Sequence, residues 1–354
     1  MHSVTFWRPH AATRLLTRST RLAKLHDWMP ERLRASAYAV VLEICQMQKI
    51  DSVVFIGMGA LGILYGHTIA EALGQGSVTF IVDKQRKARY EANPPTFNGA
   101  GCPFVFCEPE TYRGKAELLI FAVKGTQLQQ AIEEVRPVVG PDTVIVSLLN
   151  GITSETILEK AFPQAKVLYS VAQGMAATRV GTSVTCKNPG VLFLGVPARC
   201  NDRAEALAAV ERFFDQTGVV YQHEDQIERR IWCKWMFNIG VNQTLAVAEG
   251  SFADIQKPGA VRERYIAAMR EVVAVAEKLG VDVTERDLQE YVRIGDALDP
   301  QGMPSLRQDT LAHRATEVDF FSGALIEKAR ELGVPVPVNE ALNREIKALE
   351  ASWK

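Results

Sequence analysis

No apolar run in this sequence approaches the roughly 20 residues that a membrane-spanning helix needs, which argues against a membrane partner. Cysteine is sparse. The six residues Cys45, Cys102, Cys107, Cys186, Cys200 and Cys233 are scattered over 354 positions without a CxxC pair. A disulfide framework or a zinc site needs paired spacing, so the chain reads as one with reduced thiols in a cytoplasmic setting. Cys102 and Cys107 come nearest to a ligand pair and lack a second pair. His67, His223 and His313 have no metal-ligand spacing to one another, and no metal site is expected. Excess charge of either sign is missing too: a formal net charge of −1 leaves no footprint for nucleic acid. What remains, 47% hydrophobic and 23% charged residues over a two-domain length, is the composition of an ordinary globular protein.

Residues 1–49 stand apart as a basic N-terminal extension, with eight Lys or Arg against three Asp or Glu. An Arg-rich, acid-poor transit peptide fits this composition. A start at Met47, which leads directly into the first strand, and a helical arm over Leu33 to Met47 fit as well. In each case the first 46 residues are expected to be dispensable to chemistry.

The remainder is organised around Gly57-Met58-Gly59-Ala60-Leu61-Gly62. Ser52 to Ile56 is a short apolar run of the kind that makes a buried parallel strand, and Ile63 to Leu73 is helix-compatible, so the glycines sit at a strand-to-helix turn. Glycine there allows a tight turn, close approach of a diphosphate to the backbone, and close packing of helix on strand. The anion then rests on the helix N-terminus. A second apolar strand, Ser77 to Val82, ends in Asp83, 21 positions past Gly62, where a dinucleotide-binding unit reads the ribose. Asp83 favours the 2′-hydroxyl of NAD. The basic run from Lys84 through Arg86 and Lys87 to Arg89 favours a 2′-phosphate instead, and the expectation leans to NADP with NAD as the alternative.

Further strands are expected at Ala116 to Lys124, which places Lys124 at a carboxyl end, at Thr143 to Leu149 before Asn150-Gly151, and at 166–170, 191–195 and 219–221. Helices are expected at 128–138 and 204–216. Beyond residue 225 the period changes to helices at 226–247, 260–279, 285–297, 309–332 and from about 339, with Thr284 and Asp287 as a start and Gly280 and Gly333 as stops. The chain thus reads as an α/β Rossmann-like domain over 50–224 followed by an all-α domain over 225–354.

One of these helices carries polar residues on an otherwise apolar background. Lys234, Asn238 and Asn242 recur at i, i+4 and i+8 and share one face, which must meet polar partners or water. Trp232 and Trp235 beside them read as packing. The glycine turn, Lys124, Asn150-Gly151, Lys234-x3-Asn238-x3-Asn242, Ser305 within Met303 to Asp309, and Thr316-Glu317-Val318-Asp319 together resemble the ketopantoate reductase (2-dehydropantoate 2-reductase) family over residues 50–350. Pro304 and Arg307 depart from the usual spelling of the serine motif.

The resemblance implies NADPH-dependent reduction of a 2-oxo acid, ketopantoate to (R)-pantoate, on the route to pantothenate and coenzyme A. It implies Lys234 as general acid, with Glu317, Asn238, Asn242, Ser305 and Asn150 holding substrate. Gly57, Met58, Gly59, Ala60, Leu61, Gly62, Asp83, Lys84, Lys124 and Asn150 would hold cofactor. An ammonium aimed at a ketone oxygen that is receiving hydride both stabilises alkoxide charge and delivers the proton. The alternatives are a reductase of another 2-oxo acid and a nicotinamide-binding redox sensor without turnover; the sensor would have no use for the proton donor Lys234. A homodimer is compatible with each.

Overall fold

Strand β1 (Val53–Ile56) is buried along its whole length, because its successive side chains serve two different cores. Val53 and Phe55 point to one face of the sheet and Val54 and Ile56 to the other, and helices cover both. The computed structural model describes residues 49–353, so the basic segment before Lys49 lies outside the described residues.

The α/β part runs through α1 (Ala60–Leu73), β2 (Val78–Ile81), α2 (Lys84–Ala92), the short strands β3 (Thr96–Phe97), β4 (Ala100–Gly101) and β5 (Val105–Cys107), then β6 (Leu118–Phe121) and α3 (Leu128–Val135). It continues with β7 (Val144–Ser147), α4 (Ser154–Ala161), β8 (Lys166–Gln173), β9 (Ala176–Val180), β10 (Ser183–Asn188), β11 (Val191–Gly195), α5 (Ala204–Thr217) and β12 (Tyr221–His223). Eight of these strands form one sheet in the order β12-β11-β8-β7-β6-β1-β2-β5. Every pairing in it is parallel except β8 with β11. The chain leaves β1 toward β2 on one side and returns to β6 on the other, so the β1/β6 boundary is the topological switch point, where ligands of such sheets bind.

Two features depart from the expected elements. A second sheet, β4-β3-β10-β9, takes in residues for which no element was expected; β9 is exposed or half-exposed throughout and offers no apolar alternation to mark it. The strand expected at 219–221 lies at Tyr221–His223, since Val220 is 48% exposed and only Val219 turns inward before the pairing begins.

The helical part comprises α6 (Ile227–Val247), α7 (Phe252–Gln256), α8 (Ala260–Lys278), α9 (Glu285–Asp296), α10 (Ser305–Leu311), α11 (Ser322–Leu332) and α12 (Pro337–Ser352). Fourteen of the 21 residues of α6 are buried, which makes it the axis of a separate apolar core with α8. Thr284 and Asp287 form a capping box at α9, and Gly280 and Gly333 take left-handed φ of 72° and 67° as stops. The single helix expected over 309–332 is broken. It ends at Leu311, His313 turns to φ 49°, and a 3-10 turn at Val318–Phe320 precedes α11. No helix among the described residues is long and apolar enough to cross a membrane.

Candidate active site at the sheet switch point

The turn after β1 bends at Gly57, whose φ is +97° and whose Cβ, if present, would lie 2.6 Å from the carbonyl carbon of Ala122 at the end of β6. At Gly62 a Cβ would lie 2.4 Å from the Gly57 carbonyl oxygen, so a side chain at Gly57 would collide with the chain leaving β6 and one at Gly62 would push α1 off the turn. Gly59 is the N-cap of α1 and offers no side-chain cap, which leaves first-turn N–H groups for an anion. Gly57, Met58, Gly59, Ala60 and Leu61 line a cleft of about 980 Å³, with Gly62 buried behind them.

At the far end of the cleft, Asp83 is the N-cap of α2, its Oδ1 accepting from the Arg86 amide at 2.6 Å. Its other oxygen lies 3.3 Å from the Arg86 guanidinium. Asp83 and the exposed Lys84 stand outside the cleft lining, because capping a helix turns the carboxylate onto its own backbone and the first helical residue outward. The cations of α2 that do line the cleft are Arg86 and Arg89, the latter 4.9 Å over the Tyr90 ring.

The opposite wall comes from the helical part. Asp309 of α10 is buried and accepts both oxygens' worth of contact from Lys124 Nζ, at 2.8 Å each, while Arg314 Nε donates to its Oδ1 at 2.9 Å. The next residue, Gly125, donates its N–H to Glu317 Oε1 at 2.8 Å. Glu317 lies in the turn before the 3-10 segment rather than on a helix, and the break after Leu311 explains its reach. On an unbroken helix Asp309 and Glu317, eight residues apart, would be separated by about 12 Å of rise. Folded back, their carboxylates grip adjacent residues of one loop. A Cβ at Gly125 would lie 2.8 Å from the Phe320 ring, and one at Gly151 3.5 Å from the Phe320 carbonyl oxygen, so the loop after α10 seats on the turns that follow both β6 and β7.

Lys234 of α6 stands behind that lining, against Asn150. Its Nζ donates to Asn150 Oδ1 at 2.9 Å and to the Ala172 carbonyl at 2.7 Å. Burial lowers its pKa to about 8, partly offset by the negative charge of Glu317. Asn238 and Asn242 follow at one-turn intervals, and Asn242 Nδ2 reaches Ser305 Oγ at 3.5 Å. Asn150, Ser305 and Glu317 line the same cleft as the glycine turn. Trp232 and Trp235 meet edge to face at 5.2 Å, and Trp235 Nε1 donates to the Phe320 carbonyl at 2.9 Å.

The structure therefore brings Lys124, Asn150, Ser305 and Glu317 to one cleft, sets Lys234 against Asn150 and Asn242 against Ser305 from outside its lining, and leaves Asp83, Lys84 and Asn238 out of it. The sequence reading missed Asp309 and Arg314 as parts of the site, although Asp309 closed the serine motif. It also missed the β9–β10 hairpin, whose Arg179 lines the cleft, and no sequence signal marked it. Among the described residues no group of His, Cys, Asp and Glu is arranged to hold a metal ion.

The chain has counterparts among known proteins. Residues 53–198 match the family described as ketopantoate reductase PanE/ApbA, and residues 226–350 match its C-terminal part. A 2-dehydropantoate 2-reductase of Vibrio cholerae is 23% identical over 309 residues, covering 85% of this chain and 99% of that protein. Among solved structures, a PanE/ApbA family ketopantoate reductase from Ralstonia eutropha superposes with a TM-score of 0.75 at 23% identity, covering 85% of this chain and 99% of the other. D-mandelate dehydrogenase, solved with NADH and anilino(oxo)acetate, has the same fold, with a TM-score of 0.75 at 22% identity and the same coverage. With both parts of the family matched in order along one chain, the protein belongs to the ketopantoate reductase family.

Proposed function

We propose that this chain is a nicotinamide-dependent reductase of a 2-oxo acid that converts ketopantoate to (R)-pantoate, with NADPH as donor, on the route to pantothenate and coenzyme A. The observation that carries the reading is the state of Lys234: an ammonium desolvated until its pKa is about 8, held at 2.9 and 2.7 Å by two acceptors beside the switch point. Lysine has three N–H donors, so two acceptors leave one for a substrate oxygen.

The residues present suit the coenzyme. The side-chain-free start of α1 would take the diphosphate, Lys124 and Asn150 would lie on the nicotinamide side, and Arg86 and Arg89 would meet a 2′-phosphate. When bound, the reduced nicotinamide supplies hydride to the 2-oxo carbon. Lys234 gives its proton to the ketone oxygen as charge develops there, and its positive charge opposes the nascent alkoxide. Glu317 has one oxygen fixed by the Gly125 N–H and one left to orient the substrate hydroxyl. Asn238, Asn242 and Ser305 supply neutral polar contacts. In this reading the α/β part holds coenzyme and the helical part carries the acid.

A different 2-oxo acid is the second reading, supported by the fold shared with D-mandelate dehydrogenase. The departure at Arg307 lends it nothing, because that guanidinium packs on Thr310 and the Glu249 carbonyl outside the cleft lining. The test is the loss of reduced-nicotinamide absorbance with purified protein, comparing ketopantoate with an aryl 2-oxo acid and NADPH with NADH. Fast turnover of ketopantoate with NADPH is expected. Coenzyme binding without turnover of ketopantoate would overturn the assignment, and preference for the aryl acid would favour the second reading.

A further inference from the structure

A buried polar network lies beneath the turn that presents Asn150, and the chemistry above does not use it. Glu155, in the first turn of α4, is 2% exposed. Its Oε2 accepts from Ser154 Oγ at 2.8 Å, Ser154 Oγ accepts from Ser147 Oγ at 2.9 Å, and Ser147 Oγ accepts in turn from the Leu149 amide at 3.3 Å. The Ser170 hydroxyl donates to the Ser147 carbonyl, and the Ser170 and Glu155 amides face the Glu155 carboxyl. All four side chains are buried. The network therefore ties the end of β7 to the middle of β8.

Those are the two places from which Lys234 takes its acceptors. Asn150 follows Ser147 by three residues, and Ala172 follows Ser170 by two on the same strand. A carboxyl left in an apolar setting is costly, and desolvation pushes Glu155 up to about 7, with Glu159 one turn on adding in the same direction. A residue kept in that state for packing alone would be better replaced by an apolar one. We propose that Glu155 is a positioning residue for Lys234: through Ser154, Ser147 and the Ser170 amide it fixes the strand ends whose Asn150 side chain and Ala172 carbonyl hold the ammonium. The proposal rests on Lys234 being the proton donor.

The test uses the full chain with Glu155→Gln and, separately, Ser147→Ala. Glutamine keeps the shape and replaces one acceptor oxygen with a donor, so one of the three donors that face the carboxyl loses its partner. Two quantities are read. The first is kcat for 2-oxo acid reduction beside coenzyme Kd. The second is the rate at which Lys234 is acetylated by a small reagent as pH varies, located by mass spectrometry; Glu317 is the charge facing Lys234 and is unchanged in both variants. Less firmly held acceptors favour the neutral amine, so labelling at pH 7 should quicken about threefold while kcat falls on the order of tenfold and coenzyme Kd stays within about twofold. A folded variant with unchanged kcat and unchanged labelling would overturn the proposal, as would parallel losses of kcat and coenzyme affinity with labelling unchanged. If Glu155→Gln fails to fold, Ser147→Ala decides alone. If the protein turns over no 2-oxo acid, the labelling profile still decides, so the two readings fail separately.

Discussion

At the residue scale, Lys234 on α6 takes both of its acceptors from the α/β part, the Asn150 side chain and the Ala172 carbonyl. Its i, i+4, i+8 stripe marked a polar face, and that face meets Asn150, Ala172 and Ser305. Lys234→Ala should lower kcat by about 10² to 10⁴-fold with coenzyme Kd nearly unchanged, since on the proposed mechanism it removes the contact to the reacting oxygen. Its pH dependence follows from the sign of the shift. A donor must be protonated, so with a pKa near 8 reduction should decline as pH rises through about 8, and the reverse oxidation should gain over the same range. A kcat–pH profile in both directions checks it. The coenzyme end was less legible, because residue type at 83–89 does not say which side chain turns inward. Asp83 spends itself as a helix cap and Arg86 and Arg89 face the cleft. Replacing both arginines by alanine should raise Kd for NADPH on the order of tenfold and leave NADH within about twofold, measurable by nicotinamide fluorescence. Equal losses for both coenzymes would mean that the arginines do not read the 2′-phosphate.

At the scale of elements, the strand–turn–helix grammar of the parallel sheet was visible because both faces of each strand are buried, which makes short runs such as Leu118–Phe121 continuously apolar. The helix break after Leu311 was not. Its residues are helix-compatible, and the contacts that hold the broken segment are tertiary: Lys124 on Asp309 and Gly125 on Glu317, with Arg314 folding back locally onto Asp309. Local propensity carries no trace of partners some 190 positions away. Gly125→Ala tests this docking, since a Cβ 2.8 Å from the Phe320 ring must displace the loop that carries Glu317. The expected outcome is a rise in KM for the 2-oxo acid on the order of tenfold or more, with α/β stability and coenzyme Kd little changed. Asp309→Asn should act in the same sense and more weakly, because Lys124 is 43% exposed and an ion pair so placed contributes about 1 kcal/mol or less.

At the scale of the whole molecule, two desolvated ionisable groups flank the turn that carries Asn150, Lys234 bonded to that side chain and Glu155 in the network beneath it, and both oppose folding near neutral pH. Glu155 has a folded pKa of about 7 against an ordinary 4.5, so its contribution to stability is fully present below about 4.5 and is lost as pH rises through about 7. Lys234 is depressed to about 8 from 10.5, so its contribution is present above about 10.5 and is lost as pH falls through about 8. Between pH 7 and 8 both penalties apply together, and a molecule selected for stability alone would keep neither charge. Glu155→Gln separates the two, because it removes one titration and moves the other by only about half a pKa unit, the threefold change in labelling expected above. Relative to the unmodified protein, the variant's unfolding free energy should rise between pH 5 and pH 8 by up to about 3 kcal/mol, from the 1.36 kcal/mol that each pKa unit represents. Urea midpoints at the two pH values measure that difference without reference to any substrate. The increase belongs to pH and not to packing, so a lost hydrogen bond in the variant would shift both midpoints alike and leave the difference intact. A flat difference across that range would mean that Glu155 is ionised at its ordinary pKa, and the network would then be an ordinary hydrated one. A rising difference in a variant that also turns over more slowly would show a buried carboxyl kept for the geometry of Lys234 at the expense of stability.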